Sequence, residues 1–157
     1  MNKILLIATI VLSYSNLYSA SLNISGTISV KCTLNSVTTN TNTNQLPIAV
    51  GGTVIIATSS VSCNNKAGYT LLAASANSGL LVNASLPTNT IAYTLAMSGT
   101  GSAGSQSLFS QKIIVSHSLL VAPLVNDSRD ISITVTPVTV PWSGVYSDTI
   151  TITMSIL

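Results

Sequence analysis

Apolar and polar residues alternate along most of the chain after residue 20, which is the pattern of half-buried β-strands. The clearest run is Tyr146 to Leu157, in which threonine and serine alternate with a row that we expect to point inward: Ile150, Ile152, Met154 and Ile156. Other runs of this kind are Leu22 to Lys31, Thr53 to Cys63, Tyr69 to Ala74, Ile91 to Met97, Lys112 to Val121 and Asp130 to Val138. Turn signals such as Gly51–Gly52, Ser78–Gly79 and Asn126–Asp127 separate the runs, and no amphipathic helix of useful length interrupts them. The pattern predicts an all-β protein, and short strands with regular turns favour a β-sandwich.

The first 20 residues have the pattern of a secretory signal peptide. Lys3 supplies the positive charge, and the apolar stretch from Ile4 to Leu12 is followed by small and polar residues up to Ala20. This stretch is shorter than the roughly 20 residues that a membrane-spanning helix needs. A retained anchor helix is the alternative. We therefore predict that residues 1–20 are removed and that the rest of the chain is exported.

Export decides how the two cysteines are interpreted. Cys32 and Cys63 are the only cysteines, and in an oxidising compartment they most simply form one disulfide. The bridge would close a loop of about 30 residues, worth roughly 3–4 kcal/mol in the chain-entropy model. A redox or metal pair is the competing interpretation, but the sequence has no C-x-x-C spacing, and His117, the only histidine, is far away.

Composition excludes several functions. Only 5% of the residues are charged, against roughly 25% in an ordinary soluble domain, and there is no glutamate. The polar surface consists instead of 25 serines, 20 threonines and 13 asparagines. Five scattered basic residues argue against a nucleic-acid partner, which needs clustered positive charge. One histidine and three aspartates also leave few groups for acid–base catalysis, so we predict that the protein is not an enzyme.

Three local patterns resemble chemical sites, and none of them has the required context. Gly99, Gly101 and Gly104 match the spacing of a dinucleotide loop, but no helical pattern follows them, so no nucleotide or other cofactor is expected. His117 lies near the end of a predicted strand without a nucleophile elbow, which favours a surface or strand-end residue. The cluster of Asp127, Arg129 and Asp130 is interpreted as a turn with a surface ion pair rather than a cation site, and no metal is predicted.

The N-terminal run directly after the predicted cleavage site leaves two possibilities open. A single strand with one apolar face is not stable alone in water. Leu22 to Lys31 either pairs within its own sandwich or adds to a sheet edge of another molecule.

Several segments together resemble one protein family. The chain begins its mature part with LNISGTISVKCT, an alternating strand that runs into Cys32, and continues with VSCN and GYTL around Cys63. It closes with VPWSGVYSDTITI from Val140 to Ile152. These segments resemble the spore coat protein U family, and the closing run is similar to the family's V-P-x-x-G-x-Y-x-D-T signature. The family includes the subunits of archaic chaperone–usher pili.

The resemblance implies an immunoglobulin-like β-sandwich that lacks its last strand and is completed by a strand donated from a neighbour. Residues 21–31 would be the donor strand and residues 32–157 the pilin-like domain. The resemblance assigns five donor residues: Leu22, Ile24, Gly26, Ile28 and Val30. It assigns one wall of the acceptor groove to four others: Ile150, Ile152, Met154 and Ile156.

The function implied by the resemblance is a structural subunit of a surface pilus, with a role in adhesion or biofilm formation. Its partners would be copies of itself or related pilins, a periplasmic chaperone and an outer-membrane usher. The subunit would pass through the periplasm and end in a cell-surface pilus. The alternative is a secreted spore-coat or matrix protein of the same fold that does not polymerise through an usher.

Overall fold

The protein is described by a computed structural model over residues 24–35, 38–39 and 46–157. All regular structure in these ranges is β-strand, in eleven strands: β1 (Cys32–Leu34), β2 (Thr38–Thr39), β3 (Gly52–Cys63), β4 (Tyr69–Ser75), β5 (Leu80–Asn83), β6 (Thr90–Met97), β7 (Gln106–Ser107), β8 (Lys112–His117), β9 (Leu124–Val135), β10 (Tyr146–Ser147) and β11 (Ile150–Ile156). No helix in these ranges is long and apolar enough to cross a membrane. The predicted signal peptide and Leu22 lie outside the described residues.

The strands form two sheets. In the larger sheet the order is β1-β3-β9-β6-β5-β10, with β2 also paired to β3 and β7 to β6. The smaller sheet has the order β11-β4-β8. All strand pairs are antiparallel. The predicted all-β class is confirmed.

The core lies between the inward faces of the two sheets, which makes the molecule a β-sandwich. Strands β6 and β9 alternate buried and more exposed residues, as a strand with one apolar face must. The larger sheet supplies Ile91, Tyr93, Leu95, Met97, Ile131, Ile133 and Val135, and the smaller sheet supplies Tyr69, Leu71, Ala73, Ile114 and Val115. Most serines and threonines of the same strands point outward, which accounts for much of the high serine and threonine content.

The sandwich has two ends, named here after the ends of β3. At the Cys63 end, Cys63 faces Leu124, and the loop 118–123 lies beside residues 64–66. At the Gly52 end, Gly52 faces Val135, and residues 46–50 lie beside residues 141–146. Strand β11 runs from the Gly52 end to the Cys63 end, where the Leu157 backbone N–H donates to the Gly68 carbonyl.

Three strand predictions were wrong in their limits. The run expected to form one strand from Tyr146 to Leu157 is divided into β10 of the larger sheet and β11 of the smaller sheet. The strand expected to run from Lys112 to Val121 ends at His117, because residues 118–123 leave the sheet as an irregular loop. The strand expected to begin at Asp130 begins at Leu124, so the predicted turn at 126–127 lies inside β9. Asn126 has a positive φ of 50° there, opposite a register shift between Val61 and Cys63. Asparagine tolerates this conformation, so the turn signal marks an irregularity within a strand.

Candidate functional site

An incomplete edge of the smaller sheet is the main candidate site. Within the described residues, β11 pairs on one edge only, with β4, from Ile150 opposite Ser75 to Ile156 opposite Tyr69. An edge strand presents unpaired backbone N–H and C=O groups, which can pair with another strand. Unlike many natural edges, β11 carries no charged residue.

The apolar row of β11 is only partly covered. Ile150, Ile152 and Met154 are half-buried and pack against the core, while the threonines and the serine between them are exposed. Ile156 is 50% exposed. The central strand β4 beside it is far better covered, with Leu71 and Ala73 fully buried. The row therefore has its predicted direction, and it still has apolar surface available for a further strand.

A cavity of about 300 Å³ opens between the sheets beside the start of β11. Its lining combines core residues with residues at the Gly52 end: Leu46, Ile56, Tyr93, Ile133, Tyr146 and Ile150. A cavity of about 150 Å³ with an apolar lining is large enough to hold benzene. By volume, the cavity beside Ile150 therefore has room for at least one large aliphatic side chain, and its lining also includes the polar residues Ser147 and Asp148.

The N-terminal segment, residues 24–31, carries exposed apolar residues that could cover the apolar row of β11. Residues 24–31 lie outside every strand, and all of them are exposed. Ile24 and Ile28 are each 88% exposed and Val30 is 58% exposed, although isoleucine and valine are normally buried. A Cβ added at Gly26 would meet nothing within 4 Å. The segment predicted as a strand therefore pairs with no strand of the described chain.

Asn64 fixes the point from which this segment leaves the sandwich. Its side-chain amide accepts a hydrogen bond from the Lys31 backbone N–H (2.6 Å) and donates one to the Ser29 carbonyl (2.9 Å). The backbone N–H of Asn64 also donates to the Lys31 carbonyl (3.1 Å). Directly beyond, Cys32 pairs with Cys63 in register and forms a disulfide with it. The predicted disulfide is present, and it anchors the segment at the Cys63 end.

The closing run of the sequence forms a hydrogen-bonded network at the start of β11. Asp148 accepts hydrogen bonds from the Tyr93 hydroxyl (2.6 Å), the Ser75 hydroxyl and the Asn77 backbone N–H (3.1 Å). Burial, reinforced by the hydrogen bond to Asp148, raises the pKa of Tyr93. Asp148 thus ties the start of β11 to β6 and to the end of β4, and it positions one side of the cavity.

Two further contacts hold the residues before Asp148. The Tyr146 hydroxyl donates to the Trp142 carbonyl (3.0 Å). Gly144 has a φ of +142°, and a Cβ there would lie 2.6 Å from the Asn83 side chain. Asn83 is fully buried and donates from its side-chain amide to the Ser143 carbonyl (3.2 Å). Glycine is required at position 144 because this close approach leaves no space for a side chain.

Arg129 corrects one prediction. The expected surface ion pair is wrong, because Arg129 is fully buried in β9. It forms an ion pair with Asp127 (2.7 Å) and donates to the carbonyls of Ser98 (2.9 Å) and Thr100 (3.0 Å). The signal was present in the sequence: Arg129 has the same parity as the buried Ile131, Ile133 and Val135. The ion pair and the hydrogen bonds of the two Nη groups compensate for a charge that is costly to bury, while Nε has no hydrogen-bond partner among the described residues.

His117 belongs to the same cluster. It is the last residue of β8, as its predicted strand-end position requires, and it is half-buried. Its Nδ1 lies 3.4 Å from Arg129 Nη2, and its ring packs edge-on against Tyr69 at 5.8 Å between centroids. Burial raises the pKa of Tyr69, and the nearby Arg129 charge acts in the opposite direction. These contacts hold the Gly99–Thr100–Gly101 loop against β9, which is a structural role.

The glycine pattern and Asp130 also occupy structural positions. Gly99, Gly101 and Gly104 all have positive φ in the loop between β6 and β8, which contains only the two-residue β7. Asp130 donates from its backbone N–H to the Ser98 hydroxyl (2.7 Å). Among the residues that the structure describes, no three metal-binding side chains come together.

Comparison with known proteins adds little to this geometry. No model of a known protein family matches the chain, and no curated protein matches it. Among solved structures, the chain is similar to the CooA pilin subunit from enterotoxigenic Escherichia coli. The two are 16% identical, the TM-score is 0.39, and the match covers 78% of this chain and 88% of that chain. A likeness this remote carries no argument about function, and it does not support the spore coat protein U family in particular.

Proposed function

We propose that the protein is a structural subunit of a surface pilus, assembled head to tail by donor-strand exchange. Residues 22–30 of one copy add to the free edge of β11 in the next copy. The observation that carries the proposal is that the same chain has, within its described residues, an apolar segment that pairs with no strand and a strand edge that has no neighbour. The exposed segment 24–30 has an apolar row without a partner, and β11 has an unpaired edge beside a cavity.

Burial of the donor row supplies the driving force. Covering a large aliphatic side chain contributes about 1.5–3 kcal/mol, and Ile24 and Ile28 are almost fully exposed before exchange. Backbone hydrogen bonds to β11 add affinity, and the alternating side chains determine specificity, as in other cases of strand addition. The donor row would cover Ile150, Ile152, Met154 and Ile156, which are the predicted groove residues.

The anchoring of the segment favours exchange between copies. Residues 29–31 are held by Asn64, and Cys32 is covalently tied to Cys63. To reach its own β11, the segment would have to reverse direction next to this anchor and break the bonds to Asn64. A strand donated to the next copy keeps its direction, and because donor and acceptor surfaces differ, repetition gives an open fibre.

The finer parts of the proposal rest on the sequence resemblance. They are export through the periplasm, a periplasmic chaperone that covers β11 before assembly, an outer-membrane usher, and a role of the fibre in adhesion or biofilm formation. A secreted coat or matrix protein of the same fold is the outcome to expect if the chain folds but never polymerises.

The test compares three chains co-expressed with the cognate chaperone and usher: the natural chain, one lacking residues 21–30, and one in which residues 22–30 are moved behind Leu157 through a short glycine–serine linker. We expect fibres from the natural chain only. The rearranged chain should be a monomer that melts roughly 5–10 °C above the deletion chain, because about 2–4 °C corresponds to each kcal/mol in a domain of this size.

A matched rearranged chain with Ile24→Ser and Ile28→Ser controls for the added length, and it should melt like the deletion chain. Fibres of normal length from the deletion chain would show that the donor assignment is wrong. Equal melting temperatures for all three non-polymerising chains would show that the sandwich is already complete.

A further inference from the structure

Two exposed apolar patches lie outside the proposed groove. The Cys63-end patch consists of Leu120, Val121 and Val125, which are 70%, 99% and 75% exposed. The Gly52-end patch consists of Val50, Val140, Trp142 and Val145, with Trp142 65% exposed. None of these side chains is charged, and such clusters on a soluble surface commonly mark interaction sites.

The patches lie at opposite ends of the sandwich. Val121 belongs to the loop beside Asn64, and Val125 is close to the start of β9, opposite Cys63. Trp142 and Val50 line one shallow depression near Gly52. The strand between the two ends, β3, has 12 residues and is therefore roughly 36 Å long. One copy cannot bring its two patches together.

The proposed donor segment has no spacer at its base. Asn64 holds Ser29 and Lys31, so Val30, the last donor residue, lies at the anchor itself. One extended residue spans about 3.3 Å. A neighbour that accepts Val30 in its groove must therefore lie directly against the Cys63 end, which includes the loop 118–123.

Head-to-tail repetition determines which end of the neighbour lies there. Copies stacked in the same direction place the Gly52 end of one against the Cys63 end of the previous one. Val30 at the base of the donor then lies beside Ile150, and the residues before it extend toward Ile156. From residue 22 to residue 30 the donor chain therefore runs antiparallel to β11, which begins at Ile150. The Gly52-end patch of the acceptor is thereby brought to the Cys63-end patch of the donor.

We infer that, if the proposed strand exchange occurs, a second copy of this chain also binds through these patches. Leu120, Val121 and Val125 of the donor copy pack against Val50, Trp142 and Val145 of the acceptor. The contact is separate from the donated strand and joins the ends of neighbouring sandwiches. It would limit bending at each junction of the fibre.

Trp142 provides the test, because it is the only tryptophan in the chain. Its quenching by acrylamide is measured in fibres and in the rearranged monomer that carries residues 22–30 behind Leu157. We expect the quenching constant to fall several-fold in fibres of the natural chain. Fibres of the Leu120→Ser/Val121→Ser chain should keep the value of the monomer, whereas a Phe109→Ser control, which changes an exposed aromatic residue of neither patch, should behave like the natural chain.

Trp142 equally accessible in natural fibres and in the monomer would overturn the inference. So would protection that persists in the Leu120→Ser/Val121→Ser fibres, because Trp142 would then be covered by something else. Both results leave donor-strand exchange intact. If the natural chain forms no fibres, the proposed function fails, and the end-to-end contact fails with it.

Discussion

At the scale of single residues, Asp148 shows how the closing run of the sequence, Val140 to Ile152, joins β11 to the rest of the sandwich. Its carboxylate accepts hydrogen bonds from Tyr93 on β6 and from Ser75 and Asn77 at the end of β4, as well as one from the backbone N–H of the next residue, Thr149. Sequence alone could mark Asp148 as part of a motif, but its partners other than Thr149 are 55 to 73 residues away. The structural role of Asp148 could not be predicted from the sequence, because its hydrogen-bond partners come together only when β4, β6 and β11 are packed.

Replacing Asp148 should therefore cost more than replacing another partly buried aspartate. Asp148→Ala leaves two hydroxyls and two backbone N–H groups without their acceptor, and we expect a loss of about 2–3 kcal/mol in the free energy of unfolding. Urea unfolding of the rearranged monomer measures it. The control is Asp130→Ala, which removes no side-chain hydrogen bond seen in the structure and should change stability by about 0.5 kcal/mol or less.

The Tyr93 hydroxyl gives an independent check on the same network. An unfolded tyrosine ionises near pH 10, and the pKa of Tyr93 is higher in the folded chain. The unfolded state therefore loses its proton first, so stability should fall as the pH rises above about 10. Tyr93→Phe should weaken this fall, and Asp148→Ala added to it should cost less than the sum of the two single changes. Strict additivity would contradict the network.

At the scale of elements, the sequence predicted the strands in which apolar and polar residues alternate clearly. It did not predict the short strands that are defined by their tertiary contacts. The runs that became β3, β4, β6 and β11 were located closely, because their apolar rows face one core. The two-residue strands β2 and β7 carry too few residues for a period to be visible, whereas β10 lies inside the run predicted from Tyr146 to Leu157. The four-residue strand β5 was missed as well, although its alternate residues Leu81 and Asn83 are buried, because one of the two is polar. The row of β11 was predicted correctly, whereas the anchor at Asn64 and the cavity depend on the packed structure.

The antiparallel direction of the donor leads to a register prediction. With Val30 beside Ile150, Ile28 lies beside Ile152 and the gap at Gly26 lies beside Met154, which has the longest side chain in the row. Gly26→Leu should overfill this position, and overpacking of about 1–3 kcal/mol reduces pairing by roughly tenfold or more. Gly26 has nothing near it in the free subunit, so the change should leave folding unaffected.

A compensating change identifies the register. Met154→Ala combined with Gly26→Leu should restore the yield of sedimentable fibres, because the smaller residue makes room for the larger one. Ile152→Ala combined with Gly26→Leu is the matched control and should not restore it. Rescue by Ile152→Ala instead of Met154→Ala would show that the donor is displaced by two residues.

At the scale of the whole molecule, the scarcity of charge agrees with a chain that polymerises through strand edges. Soluble β-proteins commonly protect their edges with lysine and other charged residues. Here only eight residues of 157 are charged, and neither the described donor residues 24–30 nor β11 contains one. One of these eight, Arg129, is buried inside the sandwich and contributes no charge to the surface. If the proposed strand exchange occurs, this scarcity of charge would favour pairing between the edges of neighbouring copies.

Charges placed on either face of the donor segment should show which face enters the groove of a neighbour. Ile24→Lys with Ile28→Lys puts two ammonium groups where the donor row would be buried, and unpaired buried charge is costly, so we expect a folded subunit that forms no fibres. Ser25→Lys with Thr27→Lys adds the same charge on the opposite face of the same strand, and because alternate residues point to opposite faces, these chains should still polymerise. Circular dichroism confirms folding, and electron microscopy scores the fibres. Normal fibres from the first variant, or an equal loss in both, would mean that residues 24–30 do not enter a groove through the face of Ile24 and Ile28.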